Sequence, residues 1–554
     1  MNINELTIHN FRSIKDQSFS LRDYSLLIGA NNSGKTNIID AIRVFYEEGI
    51  KFNSDRDFPK FIKDDQDSWI DMQFSLSNDE YISLREEYKG PNNTFRVRKY
   101  FKSSTSERVK SSQSNIYGYE NNKLSDNLFY GARNISEAKL GSILYIPEVT
   151  KLDEYTKLSG PSAFRDLLEF VVKKVVKNSG AFEDLSKSFD NFNMEFTEES
   201  SKDGFSLKTL IEDINIDIKD WDTVFGIKIN QIKPQEIIKS LVSHYLMDNN
   251  LNEPMDISRF GQGLQRHMIY TLIKLSAKYK DKPVKKDRKE FTPDFKLILF
   301  EEPEAFLHPA QQEALNISLK NLSSENTQQV VISTHSSHFA SKNIDDLPSI
   351  IKLAKTGPET LVYQVDEVML KDILSENKEF KRLLGKTTTG KDLEQESIYY
   401  CLCLDPDRCC AFFADTVLIC EGLSEKALID TLIKRGDILL SNSRIYILNA
   451  AGKYNIHRYM NLFGKLGINH AVLFDRDREK NQQQKINKFI DNNKNQFTIN
   501  TFSFSDEFED FLGIDKVADK YEKPLNVMWH YHNKKIKEKN IKELGKIINS
   551  LVSV

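Results

Sequence analysis

The chain has 554 residues, 29% of them charged, and a formal net charge of -4 at pH 7. This length allows about three or four domains of ordinary size, and the near-balanced charge excludes a global basic field, so any nucleic-acid contact must be local. No run of 18 or more apolar residues occurs, which excludes a helical membrane span, and the opening Met1-Asn2-Ile3-Asn4-Glu5 lacks a signal peptide's basic and apolar regions.

In chain order, Leu6 to Asn10, Ser18 to Leu21 and Tyr24 to Ile28 read as short strands. The third runs into Gly29-Ala30-Asn31-Asn32-Ser33-Gly34-Lys35-Thr36, followed by a helical pattern from about Thr36 to Glu47. Strand, glycine-bounded loop and helix in this order form a P-loop, whose backbone N–H groups cradle phosphate oxygens. Gly29, Asn31, Asn32, Ser33, Gly34 and Asn37 are the expected phosphate-side residues; Lys35 reaches the β/γ-phosphates and Thr36 holds Mg²⁺. ATP is the expected ligand.

Strands are expected at Trp69 to Leu76, Phe95 to Phe101 and Ile143 to Ile146. From about 162 to 250 the period becomes helical, with an acidic stretch, Glu195 to Asp203, expected as a loop. This insert either mediates pairing or carries a partner surface, or is simple surface elaboration. The Lys- and Arg-rich stretch 277–292 reads as a solvated loop, with a nucleic-acid patch as the lesser alternative. Before it, Ser258-Arg259-Phe260-Gly261-Gln262-Gly263-Leu264-Gln265-Arg266 sets two glycines at a helix start, either an anion site or a glycine turn.

Lys296 to Phe300 is a nearly continuous apolar run, hence a buried parallel strand, and it ends in Glu301-Glu302-Pro303-Glu304. Apolar residues followed by paired acids form a Walker B pattern, with Glu301 in the Mg²⁺ shell and Glu302 orienting the attacking water. Gln329 to Ser333 is a further strand, and His335 just beyond it is the candidate γ-phosphate sensor. A third strand spans Ser349 to Leu353.

The polar stretch Gly385 to Glu396 separates a C-terminal unit with strands at Thr416 to Cys420, Arg444 to Asn449 and Ala471 to Phe474. All five cysteines (Cys401, Cys403, Cys409, Cys410 and Cys420) lie near its start; their spacing fits no zinc template and no secreted disulfide framework. Reduced thiols in a cytoplasmic protein are the expectation. The first strand ends in Glu421-Gly422 with Glu425 in the next helix, and the third ends in Asp475-Arg476-Asp477. Acids at the carboxyl ends of parallel strands form an oxygen-rich pocket suited to Mg²⁺ or Mn²⁺; two such ions about 4 Å apart stabilise the attacking and leaving oxygens of a phosphodiester.

The P-loop, glycine segment, Walker B strand and His335 together resemble the head of ABC-type ATPases of the RecF/SMC-like branch, as does the opening Leu6-Thr7-Ile8-His9-Asn10-Phe11-Arg12-Ser13. Glu301 departs from the usual Asp of that branch, and the glycine segment from its usual Ser-Gly-Gly core. The Glu-Gly and Asp-x-Asp pair resembles a Toprim domain, a Rossmann-like fold. Toprim behind such a head is similar to the OLD (overcoming lysogenisation defect) family, including Gabija-type nucleases.

That resemblance implies an α/β chain divided at 1–160 (ATPase), 161–250 (helical insert), 251–384 (ATPase, continued) and 397–554 (Toprim). It implies an ATP-regulated, divalent-metal-dependent DNA endonuclease of phage defence. It further implies a homodimer or larger homo-oligomer and a partner such as a UvrD-like helicase or a retron reverse transcriptase with its msDNA. The implied metal ligands are Glu421, Glu425, Asp475, Asp477 and Glu509, with Asp510 a weaker candidate, and the implied catalytic lysine is Lys523, in competition with Lys534 and Lys535. An ATP-driven scaffold or a RecF-like repair factor with an inert Toprim is the alternative.

Overall fold

The computed structural model describes residues 1–148, 163–227, 242–278, 291–383 and 403–553 together with Thr156 and Ile398, except positions 106, 177–178, 222, 249–251, 294, 325–327, 341–343, 441–444, 478–480 and 520. The basic stretch lies mostly at 279–290, and the polar stretch before the C-terminal unit at 384–397; both fall outside the described residues, as does Cys401. The chain divides into two compact units, Met1–Glu148 with Asp287–Val554, and Val149–Lys286.

The first unit opens with β1 (Asn2–Phe11), β2 (Ile14–Ser20) and β3 (Tyr24–Ile28), then β4 (Ser68–Ser75), β5 (Thr94–Lys102), β6 (Ile116–Glu120), β7 (Lys123–Leu128) and β8 (Ser142–Ile146). The second unit contributes the short pair β9 (Leu246–Asp248) and β10 (Glu253–Met255). Then follow β11 (Lys296–Glu301), β12 (Gln328–Thr334), β13 (Ile350–Thr356) and β14 (Glu359–Gln364). The C-terminal strands are β15 (Thr416–Cys420), β16 (Ile445–Asn449), β17 (Asn469–Asp475) and β18 (Thr498–Phe504).

Three sheets build the first unit. An antiparallel one runs β2-β1-β4-β5-β6-β7, and a mostly parallel one runs β14-β13-β3-β12-β11-β8. Every residue of β3 and β12 is buried, as covered central strands require. The carboxyl ends of β3, β12 and β11 are therefore neighbours, which gathers the P-loop, His335 and the Glu301–Glu302 pair at one edge. One apolar core joins the two sheets, from Ile3, Leu6 and Ile8 of β1 through Ile38 and Ile42 of the P-loop helix to Leu297 and Val331.

The third sheet is fully parallel, in the order β16-β15-β17-β18. Its first strand, β15, has β16 on one side and β17 on the other, so the topological switch point lies between β15 and β17. Ligand crevices of open α/β sheets form at this point, outside the carboxyl ends. Leu418, Cys420, Leu428, Ala471, Leu473 and Phe504 form the separate core beneath it.

In the second unit, helices span Ala163–Val176, Gly180–Glu198, Leu207–Asp217 and Gln262–Lys278. The loop expected at Glu195 to Asp203 is only half a loop, because the helix runs on through Glu198. Phe189, Phe192 and Phe196 stack at helical spacing, with ring centroids 5.9 and 5.2 Å apart, and carry the helix past the acidic residues.

Candidate functional site

Two sites converge from these sheets. At the first, β3 feeds the helix Lys35–Tyr46 through Gly29 and Gly34, both at positive φ (154° and 108°). A Cβ at Gly29 would lie 2.5 Å from the Leu353 carbonyl oxygen, and one at Gly34 would lie 2.5 Å from Thr360 Oγ1, so neither position takes a side chain. No side chain caps the N-terminus of the helix, which leaves its first N–H groups to an anion. This donor set fits a nucleotide's phosphates.

Lys35 is buried, and its Nζ donates to the carbonyl oxygens of Gly29 (3.1 Å) and Ala30 (3.3 Å) and to His335 Nε2 (2.7 Å). Burial lowers the lysine's pKa, and burial followed by the Lys35 charge lowers that of His335, consistent with a neutral imidazole accepting from an ammonium. Glu301 accepts from Tyr145 Oη at 2.7 Å, and burial raises its pKa.

Glu302 sits at φ 44°, a left-handed conformation uncommon outside glycine, and its Oε2 accepts from the His335 N–H at 3.1 Å. Burial and then the neighbouring Glu304 carboxylate push Glu302 up to about 9. Glu304 Oε1 accepts from Thr334 Oγ1 (2.6 Å) and from the N–H groups of His335 (2.8 Å) and Ser336 (3.1 Å). The sequence reading assigned no role to Glu304, although it stands two residues beyond the Walker B pair.

The other P-loop positions are arranged as follows. Asn31, Asn32 and Thr36 are exposed at the loop surface, and Ser33 is buried. Asn37 turns away, its Nδ2 donating to Ser13 Oγ at 2.7 Å. The Asn10-Phe11-Arg12-Ser13 motif is a clamp on the loop. Arg12 pairs with Asp40 of the P-loop helix (2.7 Å) and with Asp57 (2.9 Å), while Ser13 meets Thr360 at 2.7 Å and Thr360 Oγ1 donates to the Ser33 carbonyl at 3.0 Å. The glycine segment 258–266 belongs to the second unit, with its helix starting at Gln262.

At the second site, Glu421 follows β15 and Asp475 ends β17. The Glu421 N–H donates to the Leu473 carbonyl (3.1 Å), and the Asp475 N–H donates to Glu421 Oε2 (3.2 Å). Glu425 is buried one turn into the helix Leu423–Arg435, and its Oε2 accepts from the Gly422 N–H at 3.1 Å. Glu509 is buried in the short helix Phe508–Leu512. Burial, Glu425 and Glu421 push Asp475 up to about 9; burial and then Glu421 push Glu425 up to about 7; burial also raises Glu421. Asp475 Oδ1 and Glu509 Oε1 are buried without a hydrogen bond.

Among the described residues no three acidic, histidine or cysteine side chains are already drawn into a cage. The hydrogen bonds just given hold Glu421 and Glu425 to backbone N–H groups instead. Buried acids that repel one another, with orphaned oxygens, nevertheless fit a divalent cation. Asp510 instead pairs with Lys516 at 2.7 Å.

Lys523 opens the helix Lys523–His532 and donates to Glu507 Oε2 at 3.0 Å, with Glu509 Oε1 3.9 Å away. A second lysine, absent from the sequence reading, lies deeper. Lys453, 2% exposed, donates to Asp477 Oδ2 at 2.8 Å and stands 3.9 Å from Glu421 Oε2. The run Ala451-Gly452-Lys453 at a strand-to-helix turn was its sequence signal. Cys403, Cys409 and Cys420 are buried free thiols and Cys410 is half-buried, so none serves either site.

The head and the Toprim-side sheet share a boundary, at the amino ends of β15 and β17. Lys352 of β13 is buried and donates to the Phe412 carbonyl at 2.5 Å; burial brings it down to about 8. A cavity is walled on one side by Asn31, Asn32 and Ser33 of the P-loop and on the other by Asp415, Thr416 and Asn469 at the amino end of the third sheet. Tyr363 stacks edge-on against Phe497 at 5.5 Å and fills the space where Gly467 has no Cβ.

A P-loop ATPase head joined to a Rossmann-like Toprim domain is the class that this fold and these sites define. Residues 1–340, more than half of the chain, match the AAA ATPase domain family, and residues 412–477 match the Toprim domain of overcoming lysogenization defect protein-like chains. The chain belongs to the AAA ATPase domain family, in the OLD form that carries a Toprim domain behind the head.

It is similar to the Old nuclease of Escherichia phage P2, at 26% identity over 85% of this chain and 76% of the relative. It is also similar to endonuclease GajA of Bacillus cereus strain VD045, at 24% identity over 88% of this chain and 76% of that one. Among solved structures, the SMC head domain from Thermotoga maritima aligns at 12% identity with 66% of this chain and 100% of its own, with a TM-score of 0.31, too low to bear on the argument. None of the described helices is long and apolar enough to cross a membrane.

Proposed function

We propose that this chain is an ATP-regulated, divalent-metal-dependent DNA endonuclease, acting in defence against phage as its OLD-family resemblance implies. The observation that carries the reading is the group of half-buried Glu421 with buried Glu425, Asp475 and Glu509 at the switch point of a parallel sheet, with two oxygens left without hydrogen bonds. Such a set has no purpose in a loading factor or scaffold, whereas Mg²⁺ or Mn²⁺ bound there would supply a water of lowered pKa and neutralise phosphodiester charge.

The residues of this chain have separate tasks in that reading. Glu421, Glu425, Asp475, Asp477 and Glu509 hold the cation side, and Lys523 at the rim faces the scissile phosphate. In the head, Lys35 and the helix N-terminus bind the phosphates, Glu301 and Thr36 hold the nucleotide's Mg²⁺, Glu302 orients water, and His335 reads the γ-phosphate. The boundary between the P-loop residues Asn31–Ser33 and the amino ends of β15 and β17 is the contact through which the head would act on the nuclease domain. A homodimer or larger assembly, a cytoplasmic location and a helicase or retron partner belong to the same proposal.

The test is cleavage of supercoiled plasmid by the full chain with Mg²⁺ or Mn²⁺, with and without ATP. Nicking lost in Glu421→Ala and Asp475→Ala supports the reading. No cutting in any lane, alone or with the products of neighbouring genes, favours the inert scaffold.

A further inference from the structure

Glu301 stands where the ATPase pattern has Asp, an acid one methylene shorter. The strand pairing shows how the longer acid is held. In the parallel pair β8–β11, Tyr145 is level with Leu299. Side chains two residues apart along a strand share a face, so Tyr145 and Glu301 rise on the same side of the sheet, about 6.6 Å apart along its strands. A phenol leaning along the strand spans that gap, and Tyr145 Oη donates to Glu301 Oε2 at 2.7 Å.

The tyrosine is itself held in place. The P-loop helix Lys35–Tyr46 brings Thr36, Asp40 and Arg43 to one face, at i, i+4 and i+7. Arg43 lies over the Tyr145 ring, 3.6 Å from its centroid, and pairs with Asp40 at 2.8 Å. Asp40 in turn takes Arg12 at 2.7 Å. The hydroxyl of Thr36, the residue assigned the nucleotide's Mg²⁺, donates to the Glu301 carboxylate from the same helix. Glu301, only 9% exposed, is therefore shared by a fixed phenol and the threonine of the metal site. An aspartate here would end about one carbon–carbon bond short, roughly 1.5 Å, which takes it out of hydrogen-bond reach of the phenol.

We propose that Tyr145 is a positioning residue for magnesium binding in the head: its hydroxyl holds one oxygen of Glu301, so that the longer acid serves the Mg²⁺ shell beside Thr36 in place of the Asp of related ATPases. In this role Tyr145 acts through Glu301 and not on the nucleotide. Arg43 and Asp40 keep its ring from swinging away. A carboxylate already tied to a donor has its direction fixed, so less order is lost when the ion arrives. The inference rests on the ATPase reading in which Glu301 and Thr36 hold the nucleotide's Mg²⁺.

The experiment measures equilibrium binding of ATPγS, a slowly hydrolysed ATP analogue, to the full chain across a Mg²⁺ titration and in EDTA. Tyr145→Phe is expected to raise the Mg²⁺ concentration for half-maximal tightening about tenfold and to leave binding in EDTA unchanged. In the Glu301→Asp background, whose acid is already beyond the phenol, Tyr145→Phe is expected to add no further loss. Equal weakening with Mg²⁺ and in EDTA would mark a merely structural tyrosine and overturn the inference. So would an unchanged Mg²⁺ dependence, or the same loss in the Glu301→Asp background. Should Tyr145→Phe not fold, Glu301→Asp alone decides: a Mg²⁺ dependence like the wild type's overturns the inference, and a rise of about tenfold supports it. Wild-type binding indifferent to Mg²⁺, or Glu301→Gln with the wild type's Mg²⁺ dependence, would overturn the metal-shell reading of Glu301 itself.

Discussion

Lys35 Nζ donates to His335 Nε2 at 2.7 Å, joining the P-loop to a strand end 300 residues further along the chain. In this arrangement the lysine is folded onto its own loop carbonyls and onto the histidine. On the proposed reading an arriving phosphate would compete with His335 for Lys35 and free the imidazole for the γ-phosphate. His335→Ala should therefore leave ATP binding nearly intact and cut hydrolysis about 10²-fold, a typical share for one positioned polar group. Parallel ATP-binding and phosphate-release assays check this; loss of binding equal to that of Lys35→Ala would refute it.

Burial and then the neighbouring Glu304 carboxylate push Glu302 up to about 9, which favours its neutral form. Glu302→Gln copies that neutral form. The variant should fold and bind ATP as well as the wild type while hydrolysis falls by about 10²-fold or more. A variant that cannot retain ATP on rapid filtration would contradict the assignment.

Asp475 stands among carboxylates that repel it. Ionising it in the metal-free protein is opposed by burial, Glu425 and Glu421. Asp475→Asn should raise the Tm of the protein in chelator, abolish cleavage, and lose the Tm increase that Mn²⁺ gives the wild type. Thermal melts in chelator and in Mn²⁺ decide it, and a lower Tm in chelator would count against a repulsive cluster.

His470 provides a pH signature away from the metal ligands. It is buried in β17, its Nδ1 meeting the Ile468 carbonyl and its Nε2 the Thr498 hydroxyl, both at 2.9 Å, and burial lowers its pKa to about 4. The unfolded chain binds this proton near 6.5, so between 6.5 and 4 the unfolded state holds more protons and stability falls as pH falls. The contribution, up to about 3 kcal/mol, is complete above 6.5 and lost below 4. The stability gap between the wild type and His470→Gln should shrink across that window in denaturant titrations; a gap constant with pH would remove His470 from the account.

Lys352 tests communication. Its buried ammonium holds the Phe412 carbonyl at the edge of the Toprim domain, beside the cavity walled by Asn31–Ser33. Lys352→Met should retain ATP binding and basal cleavage but reduce the ratio of cleavage with and without ATP towards one. An unchanged ratio would exclude this contact as a route between the sites.

The chemistry-bearing loops were legible in the sequence because each is local. A glycine-bounded loop after Tyr24–Ile28, acids after Lys296–Phe300 and acids after two apolar strands can be read within ten residues. Pairing was not legible. The antiparallel sheet joins β1 to β4 across more than fifty residues, and no short pattern records that register. Lys453 and Glu304 were missed because their roles depend on what lies opposite them in space: Asp477 and Glu421 for one, Thr334 and His335 for the other. The helix past Glu195 was missed because acidic composition was weighed above the phenylalanine spacing.

The position of β3 sets a timetable for synthesis. The strand that carries the P-loop lies between β12 and β13, both encoded some 300 residues later. At ribosomal speeds the first strand waits about 15 to 60 s for its neighbours. During that interval the nascent chain exposes an apolar strand and an unfinished phosphate loop. Any fragment that stops before β13 lacks both a neighbour of the P-loop strand and all four strands of the Toprim sheet, so a translation arrest leaves neither site assembled.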